Sequence, residues 1–121
     1  MGYIKKSGDF LSSDGHSKTN YFIWAPENAV PSAILQISHG TCEYSERYES
    51  EGFVGAMTDA GLVVCGNDHI GHGASVSRTA DLGFFAARDG WKYLVEDVKH
   101  LTDLMQRRYP DLPYFLLGHS M

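Results

Sequence analysis

Three short runs constrain this chain more than anything else in it: Ala33-Ile34-Leu35-Gln36-Ile37-Ser38, Leu62-Val63-Val64-Cys65-Gly66 and Tyr114-Phe115-Leu116-Leu117. Each is nearly continuous in apolar character. That is the pattern of a strand covered on both faces, not of one with a wet side. Stretches of helical periodicity separate the three runs. Strand and helix alternating in this way predict crossover units and an α/β fold built on parallel strands.

The intervening helices are legible from spacing. Tyr48 to Ala60 carries Phe53, Met57 and Ala60 at helical intervals, with Gly61 as a stop. From Asp89 to Tyr109, Trp91, Leu94, Val95, Val98, Leu101, Leu104 and Met105 form one apolar stripe, read as core packing against the sheet. Asp89 is placed to cap this helix, Arg107 and Arg108 suit its negative end, and Pro110 stops it. Ahead of all this, Ile4 to Leu11 and Asn20 to Trp24 flank Ser12-Ser13-Asp14-Gly15, with Pro26 closing the second run. Asp-Gly between two such runs predicts an antiparallel hairpin.

Composition excludes several classes of function. Ten Lys and Arg against fifteen Asp and Glu give a net charge of −5, the wrong sign for a nucleic-acid footprint. No apolar run approaches the roughly 18 residues of a membrane span. Met1-Gly2-Tyr3-Ile4-Lys5-Lys6 has no signal-peptide core, and Lys6 stands where a myristoylation pattern needs Ser or Thr. Two cysteines, Cys42 and Cys65, make no disulfide framework, so a reducing, cytoplasmic setting is expected.

Chemistry enters at the ends of the apolar runs. The last run passes directly into Gly118-His119-Ser120-Met121, the opening of a nucleophile elbow, Gly-x-Ser-x-Gly on a sharp strand-to-helix turn. Ser120 is the expected nucleophile on a strained turn, and Gly118 is expected to avoid a collision within it. After the first run, His39-Gly40-Thr41 falls where an oxyanion loop is expected. The backbone N–H groups of Thr41 and Met121 are the expected donors to the oxygen that becomes negative during acyl transfer. The loop Asn67-Asp68-His69-Ile70-Gly71-His72-Gly73 follows the middle run, at the end of the sheet where ligands bind. Asp68, His69 and His72 lack a further clustered ligand at metal-site spacing, so Asp68 and His69 are read as hydrogen-bonded supports of the pocket floor, and no metal or cofactor is expected.

These motifs together resemble the monoacylglycerol lipase and lysophospholipase family of serine hydrolases. The resemblance rests on Ser38-His39-Gly40-Thr41 with Glu43, Ser45 and Arg47-Tyr48-Glu49; on Asp68-His69-Ile70-Gly71-His72-Gly73 with Ser75; on Tyr109-Pro110-Asp111-Leu112-Pro113; and on Leu116-Leu117-Gly118-His119-Ser120-Met121. It covers most of the chain from residue 33 onward. It implies an α/β-hydrolase fold and a serine esterase acting on single-chain acyl lipids, a small acyl-ester substrate. Cys42 and Tyr44 stand where the family loop usually continues with Gly and His. Cys42 is read as a small filler, because a reactive thiol needs an electropositive partner. Tyr44 removes an imidazole from the pocket.

In this fold the acid and the histidine of the triad follow the serine. Ser120 is the penultimate residue, so both are expected beyond Met121, together with the cap that would shape the acyl pocket and offer peripheral membrane contact. Residues 1–121 are accordingly expected to be the N-terminal half of one catalytic domain, and more polypeptide is expected to pack against the strand at Tyr114–Leu117. His39, His69 and His119 are poor substitutes for the missing base, since a base must come within about 2.6–3.2 Å of the hydroxyl. Aminopeptidases and acyltransferases share the same elbow. A non-catalytic, hydrolase-like binding protein shares the fold.

Overall fold

The computed structural model describes residues 2–40, 43–69 and 90–119. Five strands form one mixed sheet: β1 (Tyr3–Leu11), β2 (Lys18–Pro26), β3 (Ala33–Ser38), β4 (Leu62–Asn67) and β5 (Tyr114–Gly118), in the spatial order β1-β2-β4-β3-β5. β4 and β5 both run parallel to β3, with Ile37 opposite Gly66 on one side and Ser38 opposite Gly118 on the other. The carboxyl ends of all three therefore reach the same edge of the sheet, as the α/β reading requires.

β1 and β2 form the expected hairpin, pairing from Tyr3↔Pro26 to Leu11↔Lys18. Its loop, Ser12 to Ser17, is wider than a two-residue turn because Asp14 organises it: the Asp14 carboxylate accepts the N–H groups of His16 (2.9 Å) and Ser17 (2.8 Å). β2 then joins the sheet antiparallel to β4, from Tyr21↔Asn67 to Trp24↔Val64.

Side chains alternate between two cores. Ile23, Ile34, Val63 and Cys65 pack on one face against Leu101 and Met105 of α3 (Gly90–Arg108). Phe22, Trp24, Ile37 and Val64 pack on the other against Val54 of α2 (Phe53–Asp59). Each fully buried aliphatic side chain contributes about 1.5–3 kcal/mol relative to exposure. A Cβ at Gly66 would come within 3.0 Å of the Ile37 carbonyl oxygen and of Ser45 Oγ, so the crowded sheet requires glycine there.

Two expectations are corrected. First, the helix expected over Tyr48 to Ala60 is two helices, α1 (Glu46–Ser50) and α2, broken where Gly52 takes φ +84°, a left-handed conformation that interrupts the helix. Second, the stripe on α3 packs only in part. Leu94, Leu101 and Met105 are buried, but Trp91 and Val95 are exposed, and the charged Asp97 is buried instead. Asp97 accepts Ser12 Oγ (2.6 Å), Ser13 N–H (2.8 Å) and Thr19 Oγ1 (3.1 Å), which binds α3 to the hairpin. The expected cap, Asp89, lies outside the described residues.

Among the described residues β5 is the edge of the sheet, beside β3 alone, and Phe115, Leu116 and Leu117 are 57%, 59% and 37% exposed. Of its side chains, Tyr114 turns into the α3-side core. There its hydroxyl donates to Gln36 Oε1, which also accepts Thr102 Oγ1 at 2.6 Å, while Gln36 Nε2 donates to the Val98 carbonyl at 3.0 Å. Burial raises the Tyr114 hydroxyl pKa far above its usual value and raises that of the buried Cys65 thiol to about 12. No helix among the described residues is long and apolar enough to cross a membrane.

Candidate active site

The candidate residues converge at the carboxyl ends of β3, β4 and β5, and their positions follow from register. Ser38 lies opposite Gly118, and one residue further on the His119 N–H donates to the Ser38 carbonyl at 3.0 Å. The segment entering the elbow and the segment entering the oxyanion loop are thus neighbouring strands held together up to their last residues. Ser120, Met121, Thr41 and Cys42, and the loop from Ile70 to Ser75 with His72, lie outside the described residues. The structure brings together the residues that immediately precede them.

His39 is fully buried and both of its ring nitrogens are committed. Nδ1–H donates to the Gly40 carbonyl at 2.8 Å, and Nε2 accepts the His69 N–H at 3.0 Å. This pairing fixes His39 as the neutral Nδ1–H tautomer. His69 returns the contact: its Nε2–H donates to the His39 carbonyl at 3.0 Å and reaches Ser38 Oγ at 3.3 Å, and the two rings lie 4.1 Å apart. His69 thereby bridges the ends of β3 and β4. Asp68, also buried, accepts the Ser45 N–H at 2.7 Å and ties the end of β4 to the start of α1.

Glu43 is the hub of the site, and the sequence motif does not disclose it. One carboxylate oxygen, Oε1, accepts the Gly40 N–H (2.7 Å), the Tyr48 hydroxyl (3.0 Å) and His119 Nδ1–H (3.0 Å). The other, Oε2, pairs with Arg47. The Glu43 N–H also donates to the Gly40 carbonyl at 3.2 Å. Burial by itself would raise the carboxyl pKa, but the donors from Gly40, His119 and Tyr48 outweigh it and hold the pKa down to about 2. The same contacts act in reverse on Tyr48, where burial and the neighbouring carboxylate raise the phenol pKa to about 12. The signal for this hub was a Glu three residues after a strand-terminal Gly, followed at helical spacing by Arg47 and Tyr48.

The His119 side chain points to Glu43. A Cβ built at Gly118 meets no described atom within 4 Å. A cavity of about 360 Å³ opens beside this edge, lined by Ser38, His39, Trp91, Leu94, Val95, Gly118 and His119.

Comparison with known proteins agrees with this geometry. The family model described as serine aminopeptidase, S33, matches residues 29–121. Monoglyceride lipase of Homo sapiens is 39% identical over 98 residues, covering 81% of this chain and 29% of that protein. Monoacylglycerol lipase of Mycolicibacterium smegmatis is 36% identical over 101 residues, covering 84% of this chain and 33% of that one. A thermostable carboxyl esterase from Bacillus coagulans superposes with a TM-score of 0.86 at 33% identity, over 100% of this chain and 37% of its own. The chain therefore spans about a third of the length of the proteins it matches. Its sheet is the N-terminal part of an α/β-hydrolase fold, and the chain belongs to the serine aminopeptidase S33 family of hydrolases.

Proposed function

We propose that the protein to which these residues belong is a serine hydrolase that cleaves carboxylic esters of single-chain acyl lipids, monoacylglycerol or lysophospholipid, through an acyl-enzyme. The observation that supports this reading is the pairing of Ser38 with Gly118 and His119, which brings together the residues leading into the His-Gly-Thr and Gly-x-Ser motifs. Residues 1–121 would form the N-terminal half of one catalytic domain. Ser120 Oγ attacks the acyl carbonyl carbon, and its proton passes to a histidine contributed by the remainder of the domain. The N–H groups of Thr41 and Met121 hold the resulting oxyanion. That proton then goes to the departing alcohol, and water releases the fatty acid. Both ring nitrogens of His39 are already engaged in the loop, which leaves it unsuited to act as the base. The setting we infer is cytoplasmic, with peripheral membrane contact made by the cap.

The family description favours a second reading, an aminopeptidase on the same elbow. The names of the more similar relatives favour the ester. The test is parallel turnover of a monoacylglycerol and an aminoacyl arylamide by the full-length protein and by Ser120→Ala. Ester turnover that disappears with Ser120 supports the proposal. Arylamide turnover dominating over ester turnover replaces it with the peptidase.

A further inference from the structure

Glu43 joins two segments that the chemistry needs at a fixed spacing. Its Oε1 accepts the N–H of Gly40, which directly precedes Thr41, and Nδ1–H of His119, which directly precedes Ser120. Consecutive Cα atoms are only about 3.8 Å apart, so fixing residues 40 and 119 leaves the proposed donors at 41 and 121 little freedom to separate. The clamp centres on a buried carboxylate: Glu43 is 9% exposed, its partners His119 and Arg47 are 57% and 45% exposed, and Arg47 and Tyr48 of α1 supply its other contacts. Charge-assisted bonds of this kind are roughly twice as strong as neutral ones. Bonding within α1 alone would need only Arg47 and Tyr48. The additional bonds to Gly40 and His119 reach away from that helix, toward the two strand ends.

We propose that Glu43 is a positioning residue for acyl transfer, clamping the loop after β3 to the turn after β5 so that the oxyanion donors and the nucleophile keep one geometry. This rests on the serine-hydrolase reading above. A glutamine cannot replace it fully: its amide N–H₂ would face the Arg47 guanidinium, donor against donor, and the charge that attracts His119 would be gone.

The test uses the full-length protein and compares wild type, Glu43→Gln, His119→Ala and Val63→Ala for Tm, kcat and KM on a soluble monoacyl ester, with Ser120→Ala as the blank. His119→Ala removes only the arm toward the elbow, and Val63→Ala destabilises the sheet core away from the site. Glu43→Gln and His119→Ala are expected to lower kcat by about 10- to 100-fold with KM within about twofold, because sub-ångström misplacement acts on the transition state. Val63→Ala is expected to lower Tm with kcat unchanged. A kcat for Glu43→Gln within about threefold of wild type, or a loss in Val63→Ala as large as in Glu43→Gln, overturns the clamp. Wild-type turnover equal to that of Ser120→Ala overturns the hydrolase reading, and the clamp with it.

Discussion

The N–H of His119 and the carbonyl of Ser38 are joined by a 3.0 Å hydrogen bond that continues the β3–β5 ladder one residue past the end of β5. The bond matters because each partner leads into one of the proposed functional segments. It fixes the two entry points relative to one another by backbone geometry, which side-chain substitutions do not remove. The side chains of Glu43, His69 and Asp68 then stiffen the loops themselves.

Acid should weaken the site before it weakens the core. The Glu43 pKa in the fold, about 2, lies below the ordinary carboxyl value of 4.5, so the ionised form is what the fold stabilises. That contribution is complete above the unfolded value and is lost as pH falls from about 4.5 toward 2. In acid titrations of stability by urea unfolding, wild type should lose more over this window than Glu43→Gln does. Parallel curves would show that the Glu43 carboxylate is not held in its charged form.

Asp97 should be a large single contributor to the attachment of α3. Asp97→Ala strands the donors of Ser12, Ser13 and Thr19 that it satisfies. Bonds to a charged acceptor are worth about 1.5–3 kcal/mol, so a loss of about 2–4 kcal/mol is expected in denaturant unfolding. A loss below about 1 kcal/mol would mean that water replaces the carboxylate at little cost.

Two glycines a short distance apart should respond with opposite signs. Gly52 has φ +84°, so Gly52→Ala should cost about 1–2 kcal/mol. Gly55 is inside α2 with open space where a Cβ would go, so Gly55→Ala should stabilise by about 0.5–1 kcal/mol. Thermal melts of the two variants check this. Shifts of the same sign would contradict the helix break at Gly52.

Much of the fold was written in the periodicity. Strands β3 and β4 were legible because burial on both faces leaves few polar positions to confuse the pattern, and the hairpin because Asp14-Gly15 turns it. Other features had no such signature. The break in the helix after Ser50 depends on one backbone angle at Gly52, which a stripe of Phe53, Met57 and Ala60 outvotes when spacing alone is read. Asp97 replaces an apolar contact with buried hydrogen bonds to Ser12, Ser13 and Thr19, and a hydrophobicity pattern registers it as a surface residue. Trp91, Val95, Phe115, Leu116 and Leu117 are apolar yet exposed among the described residues, because apolar sequence reports what a surface can bury, not what covers it. The site residues His39, Gly40, Asp68, His69, Gly118 and His119 came from motif order. The Glu43 hub required the three-dimensional convergence of Gly40, Tyr48 and His119 on one oxygen.

Cys65 should be chemically silent in the folded protein. Burial raises its thiol pKa to about 12, so almost no thiolate exists at neutral pH. Peptide mapping after iodoacetamide treatment should find Cys65 unmodified in native protein and modified in urea. Native labelling would place it at an accessible surface.

The central claim is that Ser120 is the activated nucleophile of the elbow. The most direct measurement is to treat the full-length protein with a fluorophosphonate and locate the adduct by tandem mass spectrometry. The account predicts a phosphonyl group on Ser120, in the peptide beginning after Arg108, and no labelling of Ser120→Ala. Labelling of another residue, or labelling undiminished in Ser120→Ala, would contradict it.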